Sequence, residues 1–252
     1  MSFYNVAGYK FVQLADLPSL KMKMECEGAR LELKGTLLLA EEGINLFLCG
    51  LKDNVQAFLQ QLREDPRLAD FTVKESWSET NAFRRFKVKL KKEIITMKHP
   101  TLRPESGRAP AVDAPTLKRW LDQGHDDDGH PVKLLDTRNG YEVEEGTFRH
   151  AITLPITNFS EFPEAIRQLP PEKLAESTIV SFCTGGIRCE KAALYLREQG
   201  YRNVLQLDGG ILKYFEESGG DHYDGTCFVF DDRAALQPDL RPTSRGFLSA
   251  VQ

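Results

Sequence analysis

The segment of this sequence richest in reactive groups runs Thr178-Ile-Val-Ser-Phe-Cys183-Thr-Gly-Gly-Ile-Arg188-Cys189. A β-branched run ends at Cys183, two glycines allow a sharply curved loop, and a helix is predicted to begin near Cys189, with Gly200 placed to end it. Strand, loop and helix in that order aim successive backbone N–H groups from Thr184, Gly185, Gly186 and Ile187 at one point above the cysteine. Such a nest stabilises anions, and the Arg188 cation closes it. The same field favours a thiolate on Cys183, because the thiol pKa of about 8.5 falls beside a cation or a helix N-terminus. The chemistry to expect is that of an activated sulfur nucleophile, with Cys189 as a second thiol nearby. A cysteine buried at the end of a core strand is the competing interpretation. The glycines and arginine that follow at once favour catalysis.

The remaining reactive side chains do not assemble into a second centre. Five cysteines are an odd number in a chain of 252 residues, which argues against a secreted disulfide framework and for free thiols. Cys26 and Cys49 read as structural, and Cys227, which opens an apolar Phe-Val-Phe run, reads as packed. His99, His125, His130, His150 and His222 are scattered without ligand spacing, and the acidic turn from Gly124 to Gly129 lacks the alternating pattern of a calcium loop. No metal and no resident cofactor are expected. The N-terminus has no apolar stretch of signal-peptide length, and no run approaches a bilayer span, so the expectation is a soluble cytoplasmic protein without a membrane partner.

Two domains of different rhythm must position these groups. In the first half, strands are predicted over 3–14, 31–39, 44–48, 71–77 and 86–95. A helix starts at Asp16-Leu17-Pro18, with Asp16 as its cap, and another spans Lys52 to Arg63, with Val55, Phe58, Leu59 and Leu62 on one face. That order predicts a ferredoxin-like α/β sandwich over 1–98. Prolines at 100, 104 and 110 mark 99–114 as a linker. From 115 to 220 short apolar strands (132–135, 151–154, 178–183, 204–207) alternate with helices beginning at Thr116, near Phe162, and at Cys189 and Ile211. This pattern predicts a parallel sheet with helices on both faces. Residues 221–252 form a C-terminal extension.

A net charge of −4 does not suit nucleic acid when averaged, but partners respond to local fields. Arg84, Arg85, Lys87, Lys89 and Lys91 form the most basic stretch of the chain, interrupted by core-type Phe86, Val88 and Leu90. Lysines that protect a sheet edge would look the same.

The motif CTGGIR resembles the active-site loop of rhodaneses, LLDTRNGYEVEEGTFRHA resembles another segment of that fold, and LDGGILKY resembles its closing strand-to-helix turn. The resemblance implies that Cys183 is the sulfur nucleophile with Arg188 at the loop's end. It places Asp136 and Arg138 at a neighbouring strand's C-terminal end, facing the same crevice. Cysteine phosphatases of similar architecture have a longer loop and usually a histidine where Phe182 stands, so a phosphatase is not expected. CTGGIRCEKA together with EEGIN at Glu41 to Asn45, FRRFKVKLKKEI, and CFVFDDR at Cys227 to Arg233 resembles the bacterial tRNA uridine hydroxylases over nearly the whole chain. Leu46 departs from the glycine common after EGIN, and without the cysteine-rich tail found in longer relatives a possible metal site is not expected.

That resemblance implies oxygen-dependent conversion of a wobble uridine to 5-hydroxyuridine, with the anticodon region of tRNA as partner and molecular oxygen as co-substrate. Either the Cys183 thiolate adds to the uracil ring, or Cys183 is first oxidised or persulfidated and Cys189 resolves it. The basic strand then serves phosphate backbone, and Trp77, Phe83 and Phe86 become candidates for base stacking. The alternatives are a persulfide-carrying sulfurtransferase and a noncatalytic RNA-binding scaffold.

Overall fold

A computed structural model describes residues 2–243. The chain forms two compact units, one holding the residues up to Ile94 together with Phe230–Arg233, the other Ile95–Val229 and the segment that starts at Ala234.

The first unit is built from β1 (Phe3–Phe11), α1 (Leu17–Arg30), β2 (Lys34–Ala40), β3 (Gly43–Gly50), α2 (Lys52–Arg63), β4 (Lys74–Ser78) and β5 (Phe86–Leu90). The sheet order is β4-β1-β3-β2-β5, so the expected ferredoxin-like βαββαβ core gains a fifth strand, β5, parallel to β2 at the edge. Alternate strand residues, among them Val6, Leu37, Leu46, Leu48 and Val88, meet Leu20 and Met24 of α1 and Val55, Phe58 and Leu59 of α2 in one buried cluster. Leu46, the departure from the glycine common in relatives, is a fully buried member of that core. Asp16 does not cap α1 as expected. Its carboxylate pairs with Arg67, leaving no side-chain cap on that helix.

The EEGIN motif has a structural task. Glu42 accepts the Ile94 N–H at 2.7 Å and Asn45 Nδ2 donates to the Ile94 carbonyl at 3.4 Å, which fixes the chain where it leaves this unit. The CFVFDDR motif divides between the two units. Asp231 pairs with Arg233, Arg233 Nη1 donates to Ser76 Oγ at 2.7 Å, and the Asp232 N–H donates to Ala82 O, all within the first unit.

The second unit contains β6 (Ala111–Val112), α3 (Ala114–Gln123), β7 (Val132–Asp136), α4 (Gly140–Glu145), β8 (Gly146–Phe148), α5 (Phe162–Gln168), β9 (Thr178–Phe182), α6 (Ile187–Glu198), β10 (Val204–Leu207), α7 (Gly210–Ser218), β11 (Tyr223–Gly225), β12 (Cys227–Phe228) and β13 (Ala235–Leu236). Its parallel sheet runs β6-β10-β9-β7. Neighbouring residues of one strand enter different cores: Leu135 and Ile179 join α5 and α6, whereas Leu134 and Val180 join α3 and α7.

Two expectations are corrected here. Residues 99–114 are not a free linker: Leu102 and Ala109 are buried, Gln206 Nε2 donates to Ala109 O, and Ala111–Val112 extends the sheet. Residues 151–154 make only an isolated bridge, Leu135 to Ile152. No helix among the described residues is long and apolar enough to cross a membrane.

Candidate active site

Cys183 lies one residue beyond β9, and the loop Thr184 to Gly186 turns back over it into α6. Gly186, with φ +98°, sits in the left-handed region that favours glycine and delivers its N–H to Cys183 Sγ at 3.1 Å. The Arg188 N–H reaches the same sulfur. The second glycine-rich turn holds the loop from behind. The first amides of α7, those of Ile211 and Leu212, donate to the carbonyls of Cys183 and Thr184 at 2.9 and 3.1 Å. A Cβ on Gly210 would stand 2.4 Å from the Cys183 carbonyl oxygen, so only glycine allows this approach. The LDGGIL motif therefore braces the loop.

Of the amides expected to converge on the sulfur, that of Gly186 reaches it, joined by that of Arg188, but the sulfur is not open to solvent: Cys183 is 0% exposed. A reactant reaches it only when neighbouring groups give way. Burial pushes the thiol up, yet donation from the Cys189 thiol, the Arg188 charge and the amides of Arg188 and Gly186 outweigh it and hold Cys183 well below the ordinary thiol range. Cys189, equally buried, is displaced the opposite way by burial and by its anionic neighbour, and it stays a neutral donor within reach of Thr137 Oγ1 at 3.9 Å. The pair divides the labour: one sulfur carries the charge and the other carries the proton.

Arg188 stands beside Cys183, and its own position depends on a residue that sequence reasoning missed. Its two terminal nitrogens meet the carboxylate of Glu142 end-on, with the Nη2 to Oε2 distance 2.7 Å, and both side chains are buried. Glu142 also takes the Asn139 N–H at 3.2 Å and the Thr184 hydroxyl at 3.4 Å. The only signal for it in the sequence was the helix-start pattern Asn139-x-x-Glu142 directly after the strand that ends in Asp136.

Asp136 and Arg138 do not face an open crevice. Both are fully buried and pair with each other, Arg138 Nη2 to Asp136 Oδ2 at 2.7 Å, and Arg138 donates further to the carbonyls of Glu142 and Gly146. They fix the turn that carries Glu142. Cys227 lies close to Thr184 in the same unit, and burial pushes its thiol up to about 12, which keeps it neutral.

Arg84, Arg85, Lys87, Lys89 and Lys91 are exposed at and beside the edge strand β5, with Val88 turned into the core between the lysines. The stacking candidates separate. Phe86 is half-buried against the core, packed edge-on to Phe58 at 6.0 Å, while Trp77 is 48% exposed. Asp126, Asp128 and His130 bring ligand-type atoms within 4.8 Å of one another. Asp126 is committed to the amides of Asp128 and His130 and to the Thr178 hydroxyl, as befits a turn.

Residues 3–94 match the UPF0176 acylphosphatase like domain and residues 113–217 the Rhodanese-like domain. A protein of Variovorax paradoxus named tRNA uridine(34) hydroxylase is 61% identical over 94% of this chain and 89% of its own length. One of Bordetella petrii with the same name is 58% identical over 94% of each. This chain belongs to the tRNA uridine(34) hydroxylase family. Among solved structures, the rhodanese-like domain from an Anabaena species matches 57% of this chain and 92% of its own, at 21% identity and a TM-score of 0.38. For this family member, the loop, its braces and the Arg188–Glu142 pair lie within residues 113–217, the span of the rhodanese-like match.

Proposed function

We propose that this enzyme hydroxylates the wobble uridine of tRNA to 5-hydroxyuridine, with Cys183 as the attacking group and molecular oxygen as the oxidant. The observation that carries this reading is 61% identity across nearly the full length of a relative named for that uridine. It is supported by a loop that holds Cys183 as an anion. The anticodon region is the part of tRNA that enters the site, and a cytoplasmic location follows from that substrate.

The thiolate adds to C6 of the uracil ring. Its electron pair makes the S–C6 bond while the C5–C6 π pair moves onto C5 and the neighbouring carbonyl oxygen. Carbon 5 then attacks oxygen that a thiol reductant outside the chain has brought to the peroxide level. The C–O bond forms as the O–O bond breaks, and the second oxygen leaves as water. Loss of the C5 proton restores the double bond and expels Cys183 as the thiolate, which Cys189 and the loop amides receive. Asp136 and Arg138 contribute by holding the turn, and Arg84, Arg85, Lys87, Lys89 and Lys91 contribute by meeting tRNA phosphates.

Nucleosides from tRNA of cells lacking this protein test the assignment. Wild type restores 5-hydroxyuridine and Cys183→Ala does not; unchanged levels in the deleted strain overturn it. Transfer of sulfur from thiosulfate to cyanide by the purified protein, with tRNA unaltered, would put the persulfide carrier in its place.

A further inference from the structure

Among the described residues of the unit that holds Cys183, one large hydrophobic side chain remains exposed. Tyr141 is 44% exposed, although it lies next to the fully buried Glu142 that holds Arg188. Its ring meets that of Phe228 edge to face, with centroids 5.4 Å apart and planes at 78°, and Asn139 Nδ2 donates to its hydroxyl at 3.0 Å. In an edge-to-face pair one ring offers only its rim, so the partner's outer face stays available for a flat ligand.

Both halves of this aromatic pair are tied to the residue that follows Cys183. Thr184 Oγ1 lies 3.4 Å from the Phe228 carbonyl oxygen and 3.4 Å from Glu142 Oε2, the side chain adjacent to Tyr141. The contacts form a closed circuit: Cys183, Thr184, Phe228, Tyr141, Glu142, Arg188 and back to Cys183. An exposed aromatic plane, held by its hydroxyl and fixed to the reactive loop at two points, suits a planar base lifted out of a single-stranded loop. Such bases are recognised by stacking on aromatic side chains.

We propose that Tyr141, backed by Phe228, is the stacking platform that holds the target uracil against the Cys183 loop. The assignment rests on the tRNA uridine reading above and adds the residue that seats the base. The aromatic side chains considered earlier lie in the other unit, where Phe86 packs half-buried against the core. Among the described residues, Tyr141 is the exposed aromatic within the unit that carries the cysteine.

The test is a cycle between residue and base. The full-length protein is titrated, in the absence of oxygen, with an anticodon stem-loop RNA carrying uridine at the target position, and with the same RNA made abasic there. Tyr141→Ala weakens binding of the uridine RNA by about five-fold or more, the range of a lost base–aromatic stack. It leaves the abasic RNA within about two-fold. Tyr141→Phe binds both as wild type does, because the plane is kept; Tyr141→Leu, which keeps bulk without a π face, behaves like alanine. Equal weakening of both RNAs, no weakening of either, or a wild type that holds the two RNAs equally overturns the platform. The cycle reads binding without turnover, so it fails independently of the hydroxylation assignment, which is read from cellular tRNA nucleosides. An unchanged unfolding midpoint for Tyr141→Ala, expected of an exposed side chain, shows that the variant is folded.

Discussion

The carboxylate of Glu142 and the guanidinium of Arg188 meet end-on at 2.5 and 2.7 Å, both buried, so the cation beside Cys183 is held from outside its own loop. Removing one partner of a buried pair strands the other charge at a cost of about 3 to 5 kcal/mol, whereas exchanging both for apolar side chains of similar volume is often neutral. Glu142→Ala is therefore expected to lower the urea unfolding midpoint strongly, and Glu142→Leu combined with Arg188→Met to recover most of it. The double variant, stable but without the cation, still yields no 5-hydroxyuridine in tRNA. Recovery of both stability and modification would reduce the pair to a structural role.

Cys183 should be visible as a thiolate by its ultraviolet absorbance at pH values below those at which an ordinary thiol ionises, and Cys183→Ser should lack that band. A folded-state pKa held down relative to the unfolded thiol, near 8.5, stabilises the fold fully above that pH. The contribution is lost as pH falls through the folded value. Cys183→Ser thus costs most stability in mildly alkaline solution and least in acid. A cost independent of pH would mean that the sulfur is neutral.

The loop was legible from sequence because its parts are contiguous: β-branched strand, two glycines, arginine, helix. Glu142 was not, because it reaches Arg188 from 46 residues away and only the folded turn after Asp136 brings the two together. The burial of Cys183 was hidden for the same reason, since nothing local marks what covers a loop. Pattern reading also took the prolines near Pro104 as marking a linker, whereas hydrophobic residues between them, Leu102 and Ala109, pack into the second unit. Strand alternation identified Val88 as core and its flanking lysines as surface, which is local information and held.

Lys87 and Lys89 meet phosphates if the basic edge strand serves tRNA. Each lysine that meets a phosphate contributes roughly 0.7 to 0.9 to the slope of log K against log salt. Lys87→Ala with Lys89→Ala should flatten that slope by about 1.5 and weaken binding most at low salt. Filter binding across a salt series measures both, and an unchanged slope would leave these lysines as edge protection.

Cys189 separates the two routes for Cys183. As the neutral thiol that donates to the Cys183 anion, it lowers the pKa of its neighbour, and its removal should return that pKa toward the ordinary thiol value. In the addition route Cys189→Ala then loses activity at neutral pH and regains much of it in mildly alkaline solution, where Cys183 ionises without help. Cys189→Ser, which keeps a donor, stays closer to wild type throughout. In the resolving route no change of pH rescues either variant, because the second sulfur itself is consumed in the cycle. The structure favours the first outcome: Cys189 is buried and protonated, with its pKa driven up, which suits a hydrogen-bond donor and disfavours a nucleophile. A pH series of 5-hydroxyuridine formation by the two variants decides between them.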